Sequence, residues 1–253
     1  ERRHSAAMSD DAALFENRIR EAPRIHDAAA AGRVKAALGG GLAHLEEKSR
    51  ALLHAVGGAS PYLGQLIVRA PARALALMSQ VPEAAMADIL VRTRAAGDAG
   101  EVGETMSILR ALKAETALLA GLAEIGGVWD SLEAAAALSD FADAAVDRSL
   151  RAALKALEPK GFLRAGERDC ERVSGVAVIA MGKLGARELN YSSDIDLIVL
   201  FDPESPAFRD RDAARTAAVA AAREVVRIMG ERTADGYVFR TDLRLRPDPG
   251  VTA

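Results

Sequence analysis

The sequence predicts an α+β protein, with an all-helical region over residues 1–158, a linker over 159–174 and a small α/β domain over 175–253. Three observations carry this. Up to about residue 158, apolar side chains recur at helical spacing among many alanines. The next stretch, "EPKGFLRAGERDCERVS", is polar and broken by Pro and Gly, the composition of a connecting segment. Beyond it the period shortens to β-branched runs, "GVAVIAM" and "IDLIVLF", which suit buried strands.

The helical elements have readable ends. Ser60-Pro61 starts a helix, because serine caps free amides and proline is tolerated in the first turn. Pro71 ends or kinks it. In "SILRALKAETALLAGLAEIGG", Ile108, Leu112, Leu119 and Leu122 share a face, and Gly126-Gly127 stops the run. Asp130 followed by Glu133 forms a capping box ahead of a long helix whose stripe is Leu138, Phe141, Ala145, Leu150, Leu154 and Leu157. Trp129 and Tyr62 are the expected packing anchors. In the α/β part, a helix over "DRDAARTAAVAAAREVVRIMG" places Ala218, Ala222, Val226 and Met229 on one side. Asp235-Gly236 then turns the chain into a third strand, "YVFRTDLRLRP". No fixed-length repeat runs along the chain, which argues against a solenoid.

Half of the 253 residues are hydrophobic, so a core can form, and only 4% are aromatic, which favours closely approaching helices with small side chains. A net charge of −3 gives no electrostatic reason to expect nucleic acid or an anionic membrane as partner. No apolar run approaches the ~20 residues of a membrane span, and the first residues lack a signal peptide's apolar core. A single cysteine, Cys170, cannot form an internal disulfide, which fits a cytoplasmic setting. His4, His26, His44 and His54 show no metal-ligand spacing and read as surface or capping residues.

The chemistry concentrates in "MGKLGARELNYSSDIDLIVLF", residues 181–201. It is not a phosphate-binding P-loop, because Ala177 and Leu184 stand where glycine and Ser/Thr are needed. It is not an EF-hand loop, because Ile198, Val199 and Ser205 occupy the required oxygen, glycine and glutamate positions. A dinucleotide fingerprint is absent. What remains is a strand, a Gly-Lys-x-Gly turn, and Asp194 and Asp196 opening a second strand. Two residues apart on a strand, they point the same way, about 6.5–7 Å apart along it. Carboxylates so aimed can bridge two divalent ions about 3.5–4 Å apart, which clamp the attacking and leaving oxygens of a phosphoryl displacement. Gly182 and Gly185 let backbone amides approach a phosphate, and Lys183 can neutralise it. A third carboxylate, Asp242, lies on one strand face with Arg244 and Arg246. Simple ion pairing on an exposed sheet face is the bland alternative for these three.

Gly-Lys, then Asp-x-Asp, then a later strand aspartate resembles the active-site pattern of the nucleotidyltransferase superfamily, with its polymerase β-like fold. The longer strings "GKLGARELNYSSDIDLIVLF" and "GYVFRTDLRLRPDPG", with "SPYLGQLIVRAP" and the helices around residues 109–147, closely resemble bacterial glutamine synthetase adenylyltransferases. "ELNYSSDIDL" is similar to that family's N-terminal, deadenylylating copy rather than its adenylylating one. The resemblance implies removal of AMP from a glutamine synthetase tyrosine, with orthophosphate attacking and ADP leaving, under control of a PII-type signalling protein. It implies Mg2+ or Mn2+, as two ions, held by Asp194, Asp196 and Asp242. Gly182, Lys183 and Ser193 match the family's nucleotide-phosphate loop for ADP or ATP, with Arg244 and Arg246 offsetting anionic charge. The family continues past the point where this sequence stops, so the catalytic domain is expected to be incomplete at its C-terminus. The two rival expectations are the ATP-consuming adenylylating copy and an idle docking module. The helical region is expected to support the site and recognise the protein substrate.

Overall fold

The structure, a computed structural model, describes residues 13–97, 101–158 and 175–243. Helices α1 (Phe15–Arg18), α2 (Ala28–Leu38), α3 (Glu47–Ala59), α4 (Pro61–Arg69), α5 (Pro71–Met78), α6 (Pro82–Arg94), α7 (Val102–Ile125) and α8 (Ser131–Lys155) come first. Strand β1 (Val176–Met181), a single turn α9 (Gly182–Gly185), strand β2 (Ile195–Phe201), helix α10 (Arg211–Gly230) and strand β3 (Thr241–Asp242) come after them. Helices therefore precede a small α/β region, as the periodicities predict. The linker expected at 159–174, with Cys170, lies outside the described residues, as does His4. No helix among the described residues is long and apolar enough to cross a membrane.

The chain forms two compact units, residues 1–89 with 114–137, and residues 90–113 with 138–253. In the first, the predicted ends appear. Ser60 Oγ accepts from Leu63 N at 3.3 Å and Pro61 opens α4. Pro71 does terminate that helix and also begins the next, at the first-turn position where its missing N–H costs nothing. The capping box is reciprocal: Glu133 N donates to Asp130 Oδ1, and Asp130 N donates to Glu133 Oε2, each at 2.8 Å. Glycine lets α2, α3 and α4 approach closely. A Cβ on Gly58 would sit 2.7 Å from the Asp27 carbonyl oxygen, and one on Gly57 2.6 Å from a Val34 methyl. Phe15, Leu52, Leu53, Ile67, Leu118 and Leu122 fill the core. Trp129 is an anchor as expected, buried and donating to Glu83 at 2.8 Å. Tyr62 is not; it is 45% exposed.

Among the described residues, the second unit centres on a three-stranded sheet of order β1-β2-β3, β1 antiparallel and β3 parallel to β2. The two apolar runs suit buried strands, yet among the described residues only one face of the sheet is covered. Val176, Ile195 and Leu197 are buried, whereas Ile179, Met181 and Leu200 are 40–49% exposed. The α10 stripe is shifted from the predicted one. Ala218 and Met229 are buried, but Ala221 and Val225 replace Ala222 and Val226, which are half-exposed. Like neighbours hide the shift, because spacing alone cannot choose between Ala221 and Ala222 or between Val225 and Val226. The third strand is shorter than predicted: among the described residues it is Thr241–Asp242, and residues 237–240 reach it as irregular chain. There Val238 N and Phe239 N both donate to the Met229 carbonyl, bending the segment back on the end of α10 instead of along β2.

Candidate active site

The sheet register assembles two of the three predicted carboxylates. Asp196 pairs with Met181 on β1 and with Asp242 on β3, so one row across the sheet reads Met181, Asp196, Asp242. Directly opposed residues on neighbouring strands project to the same face. Two carboxylates in adjacent register positions repel each other, an arrangement that a structural role alone would avoid.

Asp194 is placed differently from its prediction. Strand β2 begins at Ile195, so Asp194 belongs to the loop before it and not to a strand face shared with Asp196. Its Oδ1 accepts from Arg240 Nε, while Arg240 Nη2 donates to the Ser192 carbonyl at 3.0 Å. The hydrogen bond to Asp194 holds the Arg240 proton more tightly than usual. This pair is solvent-exposed, with side chains 60% and 51% accessible, and such pairs exchange partners at little cost.

The Gly-Lys turn stands against this row. Gly182, directly after β1, has a φ of +55°, a conformation that favours glycine. A Cβ there would collide with Asp196 Oδ2, so the absent side chain is what lets the carboxylate lie against the backbone. A Cβ on Gly185 would sit 2.6 Å from the Ala180 carbonyl oxygen, so the turn folds tightly onto β1. Lys183 is exposed on α9. Two contacts with α8 anchor the chain beyond the turn: Arg187 pairs with Asp140 at 2.6 Å, and Leu189 N donates to Ser139 Oγ at 3.2 Å. Asn190 Oδ1 accepts from Ser193 Oγ at 2.7 Å and from Ser192 N at 3.3 Å, which shapes the approach to Asp194. Arg244 and Arg246 lie outside the described residues.

No group of three or more His, Cys, Asp or Glu side chains converges as a ready cation cage among the described residues. The donor chemistry nonetheless fits a hard divalent ion. Asp196 and Asp242 are oxygen donors in adjacent register, and Asp194 is held by an exposed ion pair with Arg240. Sequence reasoning missed Arg240 and Asn190. The first was findable, since Arg240 and Asp242 share strand parity. The second announces itself as an Asx residue ahead of "YSSD".

The family described as glutamate-ammonia ligase adenylyltransferase matches residues 50–253. The chain belongs to this family. A relative from Xanthobacter autotrophicus, named bifunctional glutamine synthetase adenylyltransferase/adenylyl-removing enzyme, is 42% identical over 206 residues, covering 81% of this chain and 21% of that protein. A relative of the same name from Bradyrhizobium diazoefficiens is 38% identical, covering 98% of this chain and 24% of its own length. The chain thus spans between a fifth and a quarter of the length of these two relatives. The match begins within α3 and takes in the Gly-Lys turn and all three aspartates.

Proposed function

We propose that this chain is the adenylyl-removing portion of a bifunctional glutamine synthetase regulator, with residues 175–253 as its nucleotidyltransferase domain. The observation that carries the proposal is the placement of Asp196 and Asp242 as direct cross-strand neighbours with Gly182 cleared against Asp196. Residues 1–158 then support the domain and recognise glutamine synthetase, and 159–174 link the two. A PII-type signalling protein sets the direction of reaction. The setting is cytoplasmic.

In the reaction, an orthophosphate oxygen forms a bond to the phosphorus of the AMP–tyrosine diester. The phosphorus–tyrosine oxygen bond breaks, its electron pair leaves with the tyrosine oxygen, which takes up a proton, and ADP is released. Asp194, Asp196 and Asp242 would hold Mg2+ or Mn2+, two ions in all. Bound there, the cation would polarise phosphoryl oxygens and align attack and departure. The backbone at Gly182 and the Ser193 hydroxyl approach the nucleotide phosphates, while Lys183, Arg244 and Arg246 offset charge that builds on them. Arg240 keeps Asp194 in place before the site fills.

The relatives' name covers both activities, so transfer of AMP from ATP is the second reading. The test uses a protein of the relatives' full length that carries this chain, adenylylated glutamine synthetase, orthophosphate and Mg2+. ADP should appear and tyrosine-bound AMP disappear, with Asp196→Asn slowing both by at least about a hundredfold. If Asp196→Asn matches the parent, the site is wrongly assigned. If the protein consumes ATP while orthophosphate is inert, the second reading replaces the first.

A further inference from the structure

We infer that Arg110, on α7 and far from the aspartates in sequence, is a positioning residue for the carboxylate site. The residue is 2% exposed, and its guanidinium is directed at backbone carbonyls. Nη1 donates to the Met106 carbonyl of its own helix at 2.8 Å and to the Ile228 carbonyl at 3.2 Å. Nε donates to the Gly236 carbonyl at 3.0 Å, and Nη2 to that of Glu231. One planar fork therefore brackets the turn that comes after α10, on both its incoming and its outgoing arm. Only guanidinium has the donors and the fixed fan to do this; an ammonium is a point charge. Burying a cation is costly, and here oriented carbonyl dipoles offset the penalty.

The bracketed turn leads straight into the site. After Gly236, Phe239 is fully buried, with the Lys113 Nζ 3.7 Å from its ring centroid. The next residue is Arg240, whose side chain holds Asp194 and whose carbonyl accepts from Ile195 N at 2.9 Å. Two residues on, Asp242 takes its place beside Asp196. β3 is only Thr241–Asp242 in the described chain, so its own ladder fixes little. The register of Asp242 depends on where residues 236–240 are delivered. Arg110 fixes the Gly236 end of that segment, while the Val238 and Phe239 amides fix its middle on the Met229 carbonyl.

The inference rests on reading the aspartates as the reacting site, and its test separates the two. Amide hydrogen exchange is followed on this chain for the parent, Arg110→Lys, and Arg110→Ala with and without millimolar methylguanidinium. Arg110→Lys should speed exchange at the Ile195 amide and across 236–242 by about tenfold, while α2–α4 stay as protected as in the parent. Methylguanidinium should restore protection in Arg110→Ala, which a general loss of packing would not allow. Mn2+ alone, titrated by water-proton relaxation, should bind several-fold more weakly to Arg110→Lys. Loosening confined to residues 228–236, with Ile195 and Asp242 unchanged, would overturn the inference. If the parent binds no Mn2+, the site reading fails while the exchange data still decide the role of Arg110.

Discussion

The two compact units differ in what they bury. Among the described residues, the buried polar side chains of the first unit are Ser49 and Thr116, both uncharged. One of its ion pairs, Arg18 with Glu83, which also accepts from Trp129, stays at the margin with Glu83 half-exposed, and in another Arg73 meets Glu115 at 3.5 Å. Burial pulls the Glu83 pKa up, but hydrogen bonds from Arg18 and Trp129 outweigh it and hold the carboxylate below its ordinary range. The second unit buries Arg110, Lys113 and Arg148. Arg110 and Arg148 use Nε–H groups on main-chain carbonyls, Gly236 and Ala96. Regular helices satisfy their own backbone, so an all-helical unit needs no interior cations. Irregular chain leaves carbonyls open, and a guanidinium answers several at once. Buried guanidinium thus marks where backbone must be held in a shape that hydrogen-bond ladders do not enforce, whereas Lys113 lies against the Phe239 ring.

The sharpest way to break this contrast is a matched pair of glycine substitutions. Gly182→Ala forces a side chain into φ of +55° and against the Asp196 carboxylate. It is expected to cost about 1–3 kcal/mol of stability and to abolish ADP binding measured by calorimetry with Mg2+. Gly58→Ala places a Cβ 2.7 Å from the Asp27 carbonyl oxygen, a backbone atom that cannot swing aside. A comparable loss of about 1–3 kcal/mol is expected there. Below its melting temperature, that variant should bind ADP like the parent. If Gly182→Ala binds normally, close approach of Asp196 to the turn is not what the site requires.

Much of the first unit was legible because helix rules are local. Ser60, Pro61, Pro71 and the Asp130–Glu133 box each act within four residues of themselves. The Asp-x-Asp pair and Asp242 stand out in the sequence as candidates, because carboxylates rarely open an apolar strand. Their geometry was less so. The start of β2 at Ile195, which detaches Asp194 from the strand, is set by β3 pairing and by Arg240, contacts across 46 residues. Arg110 and Lys113 were invisible as interior residues: periodicity places a basic side chain on the wet face by default. Nothing nearby in sequence reveals that Arg110 reaches carbonyls 118–126 residues away.

Lys113 sharpens the comparison through pH. Its Nζ is buried with no hydrogen-bond partner among the described residues, and burial drives its pKa from 10.5 to about 7. The unfolded chain keeps that proton up to its ordinary value, whereas the folded protein releases it near neutrality. Between those limits the unfolded state binds more protons, so this group makes stability rise with pH from about 7 to about 10.5. The Phe239 face favours the charged form and offsets part of the effect. Lys113→Met should therefore be more stable than the parent at pH 6, by on the order of 2 kcal/mol. The advantage should shrink as pH approaches 10, where the unfolded parent also gives up this proton and folding no longer requires its release. Urea denaturation of both proteins across that range checks it, and an advantage independent of pH would mean that packing, not charge burial, is what the substitution changed.

The smallest expected effects lie in the first unit, and they separate two kinds of helix start. Asp130 caps α8 with bonds of 2.8 and 2.9 Å to Glu133 N and Leu132 N, and its own amide donates the return bond to Glu133. Ser60 caps α4 through one bond of 3.3 Å, near the weak end of the useful range. Asp130→Ala should cost about 1 kcal/mol and Ser60→Ala about half that. The carboxylate also sits at the positive end of a 25-residue helix, which adds an electrostatic share that salt screens and a neutral hydroxyl lacks. The Asp130→Ala loss should therefore shrink between low and high salt, while the Ser60→Ala loss stays constant. Neither cap touches the segment that Arg110 holds, so neither substitution should alter amide exchange at Ile195 or ADP affinity. A cap variant that did so would mean that the first unit helps to deliver Asp242, and the division between a locally specified unit and one specified by distant contacts would have to be redrawn.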